Sequence, residues 1–276
     1  MRIKQLYLLS LDTARRMIGH RASGILWVNG KVSMWRRLVN TALIFAGGTG
    51  QRMNTRTRPK QFLELHGKPI ILYTIEVFEN HPDIDAIAVV CLEDWIPFLQ
   101  KKLAHYDIAK VVAVVPGGAT GQESIRHGLD ALIEKAGPGA TVLVHDGVRP
   151  LVRPETISDC IRSVAERGSA ITVTPAIETI VQEEDGEIVN VIDRSVCRLA
   201  KAPQCFNLGE LYAAHERAEA EGLGDFIDSA SMMRHFGHSL YTVEGTPENI
   251  KITTPSDFYI FRAFVDAREN SQIFGL

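Results

Sequence analysis

Two glycine-rich turns and the cations beside them are the residues of this 276-residue chain best suited to chemistry. The first turn is Ala46-Gly47-Gly48-Thr49-Gly50-Gln51-Arg52, and Pro59-Lys60-Gln61 follows shortly after it. Glycine has no Cβ to shield the backbone N–H groups, so such a turn leaving a strand can cradle an anion. The glycines alone suit a plain strand-exit turn equally well. Arg52, Arg56, Arg58 and Lys60 flank or interrupt a segment too hydrophilic for core, which suits either a triphosphate wrap or a solvated basic loop. Two nucleotide fingerprints are excluded. Met53 falls where a dinucleotide-binding motif needs its third glycine, and no Gly-Lys-Ser/Thr closes a P-loop. A second turn, Gly117-Gly118-Ala119-Thr120-Gly121-Gln122-Glu123-Ser124, has the same character. The third polar cluster is His145-Asp146-Gly147-Val148-Arg149, with Asp146 placed for a ribose hydroxyl or a metal.

These segments need rigid elements to hold them together. From Thr41 onward, short apolar runs alternate with helical periodicity, the pattern of an α/β, doubly wound, mostly parallel sheet. Strands are expected at 41–46, 86–92, 111–115, 141–144, 170–174 and 240–243. Helices are expected at 69–79, 96–103, 122–134, 154–166, 208–221, 228–235 and 257–267, the last opened by Thr254-Pro255-Ser256-Asp257. In such a sheet both glycine turns open on the carboxyl edge, where ligands bind. One interruption stands out. Runs 178–182 and 187–192 surround Glu184-Asp185-Gly186, a hairpin signature, and predict a protruding β-hairpin arm at about 176–200. Protruding arms often pair with a second subunit.

Composition sets the limits. Hydrophobic residues make up 45% and charged residues 23%, as in an ordinary soluble protein. The net charge of −3 gives no reason to expect nucleic acid or an anionic membrane as partner. Four cysteines form no CxxC pair, which with the absence of a secretory signal predicts reduced thiols and the cytoplasm. No apolar run approaches the roughly 20 residues that span a bilayer. His235 and His238 are spaced as two metal ligands can be, though a surface turn explains them better. Residues 1–40 carry eight Lys/Arg against Asp12 alone and read as a basic, nonessential extension, with Met34 nearer the true start. A short membrane-surface helix is the other reading of that extension. Residues 41–276 form the expected single domain.

Taken in order, Ala46-Gly-Gly-Thr-Gly-x-Arg52, Pro59-Lys-Gln-Phe, Gly117-Gly, His145-Asp-Gly-Val-Arg-Pro, Ala202-Pro-Gln and Asn249-Ile-Lys-Ile-Thr-x-Pro resemble the cytidylyltransferases that activate polyol phosphates with CTP. The resemblance covers about 41–265 and implies a Rossmann-like nucleotidyltransferase fold. It implies CTP and a polyol phosphate, either ribitol 5-phosphate or 2-C-methyl-D-erythritol 4-phosphate, as substrates. Arg52 and Lys60 would stabilise the transition state. Phe45, Ala46, Gly47 and Gly48, with Gly117, Gly118, Ser124 and Asp146, would form the CTP site. Lys251 and Arg194 match positions that hold the polyol phosphate. Asp146, Arg149 and Thr179 match positions around the polyol, Arg149 and Thr179 being candidates to act from the second subunit of a homodimer joined by the arm. The family uses Mg²⁺, held mainly by the triphosphate, so no protein metal cage is expected. Ala202 departs from the usual threonine, which removes one hydroxyl contact to the substrate. Gly147, often alanine in the isoprenoid enzymes, and Cys91-Leu-Glu-Asp-Trp lean the expectation towards the ribitol type.

Overall fold

The computed structural model describes residues 24–28, 31–35, 39–48 and 58–274, in two units, Met1–Leu38 and Val39–Leu276. In the first unit, β1 (Gly24–Val28) and β2 (Lys31–Trp35) pair antiparallel. This corrects the helical reading for those residues. Branched and aromatic side chains in Ile25-Leu-Trp-Val and Val32 favour strand over helix.

The second unit begins with β3 (Asn40–Ala46), followed by the short pair β4 (Glu64–Leu65) and β5 (Lys68–Pro69) and helix α1 (Ile70–Glu79). Next come β6 (Ala86–Cys91), α2 (Ile96–His105), β7 (Val111–Pro116), α3 (Gly121–Ala136) and β8 (Thr141–Asp146). Then α4 (Pro154–Arg167) and β9 (Ser169–Pro175) precede the hairpin β10 (Ile180–Glu184) and β11 (Glu187–Ile192). The chain closes with β12 (Arg198–Asn207), α5 (Leu208–Ala220), α6 (Ser229–His235), β13 (Thr242–Glu244) and α7 (Pro255–Phe274).

Seven strands form one sheet in the order β13-β9-β12-β8-β3-β6-β7. β12 runs antiparallel to both neighbours, and all the other pairings are parallel. Strand alternation splits the core between the two faces of this sheet. Ala42 and Ile44 pack with Ile71, Ile75 and Val89 on one face, while Leu43 packs with Val90, Ile125 and Leu129 on the other. Both faces are covered, so strand 40–46 is apolar almost throughout. A third cluster, Leu65, Ile70, Val148, Leu151, Ile252, Phe261 and Val265, seats α7. It also ties Ile252 to the loop after β8, where Ile252 N–H donates to Val148 O at 2.9 Å.

Strand β12 is absent from the sequence expectation. Arg198-Leu-Ala-Lys-Ala-Pro-Gln carries two cations and a proline, which argue against a central strand. The structure accommodates them with a slip. Ala200 pairs with Val173 and Gln204 with Ile171, so β12 spends four steps against two on β9. Pro203 falls inside that slip, where no ladder N–H is required. The expected hairpin is present. β10 and β11 pair only with each other among the described strands, across a two-residue turn in which Asp185 and Gly186 adopt φ of +51° and +86°. Those are the values a type I′ hairpin turn requires.

Candidate active site

A cavity of about 410 Å³ opens at the carboxyl ends of β3 and β8. In the sheet, β6 and β7 lie on one side of β3 and β8 on the other, which makes this the switch point where open α/β sheets bind ligands. Phe45 and Asp146, register partners across the two strands, both line the cavity. The start of α3, the slipped part of β12, the loop before α6 and Lys251 complete it.

Asp146 organises the charge. Its carboxylate accepts from Arg149 Nε at 2.7 Å and pairs with Lys251 Nζ at 2.6 Å. Burial pushes its pKa up, but Lys251 and Arg149 outweigh that and hold it down to about 2. Arg149 also donates to Asn249 O at 2.9 Å, tying the loop after β8 to the segment that carries Lys251. Beneath them, His145 is fully buried against Phe78, and burial pushes its pKa down to about 4. Its Nε2 lies 3.1 Å from Arg149 O, which can only accept, so Nε2 carries the proton and the ring adds no charge. No histidine or cysteine lies among the described residues lining the cavity, so no His- or Cys-based nucleophilic pair is built there.

The two glycine turns touch. A Cβ on Gly47 would sit 3.0 Å from Ser124 Oγ, and one on Gly117 would sit 3.1 Å from Gly47 Cα. Ser124 Oγ locks the second turn, accepting from Gly118 N–H at 3.1 Å and donating to Thr120 O at 2.9 Å. Gln61 does the same for the first turn. Its Nε2 donates to Ala46 O at 2.6 Å and to Gly48 O at 3.1 Å. Lys60 opens the helical turn Lys60–Phe62, so these bonds bring its backbone beside Gly47-Gly48.

The sequence model of the IspD family, 2-C-methyl-D-erythritol 4-phosphate cytidylyltransferase, matches residues 40–267. The chain belongs to that family. The Vibrio parahaemolyticus protein named ribitol-5-phosphate cytidylyltransferase is 51% identical over 238 residues, covering 86% of this chain and 100% of its own. A 2-C-methyl-D-erythritol 4-phosphate cytidylyltransferase from Bacillus licheniformis is 38% identical, covering 83% and 97%. Among solved structures, the 4-diphosphocytidyl-2C-methyl-D-erythritol synthase of Anaerococcus prevotii superposes with a TM-score of 0.71 at 27% identity, covering 83% and 96%. The protein is therefore an enzyme, a cytidylyltransferase of the IspD family.

Of the residues that IspD resemblance singles out, the cavity gathers Phe45, Asp146, Arg149 and Lys251. Ala46, Gly47, Gly48, Gly117, Gly118 and Ser124 form the touching turns beside it. Arg52 and Arg56 lie outside the described residues. Arg58 pairs with Glu64 at 3.0 Å, so it serves the fold in this arrangement. Arg149 is bonded to Asp146 of its own chain and lines that chain's cavity. Thr179 and Arg194 do belong to the exposed arm region, where Arg194 donates to Ile177 O. Gly147 has a packing reason: a Cβ there would meet Ala46 Cβ at 2.9 Å. Sequence reasoning missed Lys201, Gln204 and Phe226, which also line the cavity, because they reach it through the unforeseen strand β12 and the loop it braces.

IspD enzymes generally use a divalent metal. The cavity's carboxylates are Asp146, held by two cations, and Asp228, which accepts from Ser231 N–H at 2.8 Å and Gln204 Nε2 at 2.7 Å. Such residues do not form a protein cage. They fit a cation carried by substrate phosphates, with Asp146 keeping one lone pair on each oxygen for further bonds.

Proposed function

We propose that the protein transfers the cytidylyl group of CTP to ribitol 5-phosphate, giving CDP-ribitol and diphosphate. The observation that carries this is the Asp146–Arg149–Lys251 cluster at the sheet's switch point, in a chain half identical over its domain to relatives named for ribitol 5-phosphate. A phosphate oxygen of the polyol phosphate attacks the α-phosphorus of CTP, and the α–β bridging oxygen leaves with diphosphate. The nucleophile's second pKa is about 6, so it is largely ionised at neutral pH and needs no general base. Catalysis is then positioning plus charge stabilisation. Arg52 and Lys60 neutralise charge developing on the triphosphate, while Lys251 and Arg194 hold the polyol phosphate. Gly47, Gly48, Gly117 and Gly118 offer backbone to CTP. Mg²⁺, bound to the triphosphate, supplies further neutralisation and orients it.

Methylerythritol phosphate is the second reading, favoured by the family description. The two separate on specificity. The expected kcat/KM for ribitol 5-phosphate exceeds that for 2-C-methyl-D-erythritol 4-phosphate by about ten-fold or more, as one mismatched group in a pocket typically costs. An equal or reversed preference in a diphosphate-release assay overturns the ribitol assignment.

We also assign a homodimer through the arm. Ile188, Val191 and Val196 are 60%, 61% and 78% exposed on one hairpin region, an apolar surface that a second copy would cover. Thr179 and Arg194 would then reach the partner's site. Sedimentation should give a dimer, and Val191→Asp a monomer with little activity. A fully active monomer contradicts this assignment. The enzyme is assigned to the cytoplasm, consistent with four free cysteines and, among the described residues, no helix long and apolar enough to cross a membrane.

A further inference from the structure

The slip in β12 aims a lysine at the cavity. Between Ala200 and Gln204 the strand leaves its ladder with β9, and the backbone it frees is satisfied from elsewhere. Asn249 Nδ2 donates to Ala202 O at 2.7 Å, and Thr172 Oγ1 donates to Pro203 O at 2.7 Å. A bulge held this way re-aims side chains. Lys201 and Ala202 consequently line the cavity.

The Lys201 ammonium is fixed there, unlike an ordinary surface lysine. It donates to Pro247 O at 3.2 Å and to Asn249 O at 3.3 Å, the same carbonyl that accepts from Arg149. An ammonium has three N–H donors, so one remains for a ligand. Burial first, and then the nearby Arg149, lower its pKa, the signature of a cation set in a partly dry site beside another cation. Lys251 differs. Its sole described bond is to Asp146, and it is 41% exposed, which leaves it free to meet a phosphate.

We propose that Lys201 is a specificity-determining residue whose remaining N–H donates to a hydroxyl of the polyol chain. A single directed donor suits a hydroxyl, which accepts one strong bond, better than it suits a phosphate dianion. Lys201, Asn249 O, Arg149 and Asp146 form a continuous hydrogen-bonded rim along which a polyol can lay its hydroxyls. A methyl-bearing carbon at the ammonium would desolvate it without offering a partner, and is disfavoured. This inference rests on the polyol-phosphate reading above.

The test uses the full chain and the polyol phosphate that the wild type turns over. Lys201→Met is expected to raise KM for that substrate about 10- to 100-fold, the usual worth of a hydrogen bond to a charged group. KM for CTP and the melting temperature stay near wild type. Lys201→Arg, which keeps cationic donors, recovers part of the loss. A panel of monodeoxy analogues then supplies the decisive arm. For the analogue lacking the partner hydroxyl, wild type and Lys201→Met should have the same KM. An unchanged KM in Lys201→Met overturns the inference. So does an equal loss with every analogue, which would assign Lys201 to the phosphate or to the fold. Wild-type silence with both polyol phosphates removes the functional reading itself, and the role of Lys201 with it.

Discussion

Replacing Lys60 with alanine is expected to lower kcat by about 10²–10³-fold, the usual cost of removing one preorganised donor from developing charge. The turn Lys60–Phe62 is anchored by its neighbours: Phe62 is fully buried and stacks on Trp95 at 4.6 Å between ring centroids, and Gln61 binds the glycine turn. The melting temperature of Lys60→Ala should therefore match wild type while turnover collapses. Steady-state kinetics at saturating CTP and polyol phosphate check this. A variant with normal kcat would remove Lys60 from the mechanism.

Asp146→Asn is expected to have the second large effect, on stability as well as on activity. Arg149 and Lys251 converge on a carboxylate whose side chain is only 9% exposed, and the variant leaves both cations without their anion. Breaking a buried pair costs about 3–5 kcal/mol, and the partial exposure of Lys251 puts the expected loss near the lower end. The kcat/KM for the polyol phosphate should fall about 10- to 100-fold as the rim loses its charged acceptor. The pH dependence follows from the depressed pKa. Asp146 titrates near 3.8 when unfolded and at about 2 when folded. Its stabilisation is present above pH 3.8 and is lost as pH falls through about 2. The gap in denaturant midpoint between wild type and Asp146→Asn should narrow from pH 5 to pH 3, as the unfolded carboxyl protonates while the folded one is still largely ionised. A constant gap between them would contradict the charge-based account.

Much of this site was legible as residue types before any geometry. The glycine turns and His145-Asp146-Gly147-Val148-Arg149 announce themselves by local chemistry, and the alternation of strands and helices places them on one sheet edge, whereas Lys251 is singled out only by the family resemblance. The parts that escaped reading depend on long-range contacts. β12 hides behind Pro203 because only its slip against β9 makes a proline tolerable there. Lys201 looks like a surface lysine until that slip and the carbonyls of Pro247 and Asn249 fix it. Gln61 reads as a polar neighbour of Lys60, yet its carboxamide ties the turn Lys60–Phe62 to the glycine loop. The pairing of Asp146 with Lys251 spans 105 positions and is made by the Val148–Ile252 bond, which no local pattern encodes.

The most direct measurement uses ribitol 5-phosphate carrying ¹⁸O in its three non-bridging phosphate oxygens, with CTP and Mg²⁺. If the substrate phosphate is the nucleophile, CDP-ribitol retains all the label, one atom of it in the diphosphate bridge, and the released diphosphate carries none. Label in the diphosphate, or CTP consumed without CDP-ribitol, would contradict cytidylyl transfer to the polyol phosphate.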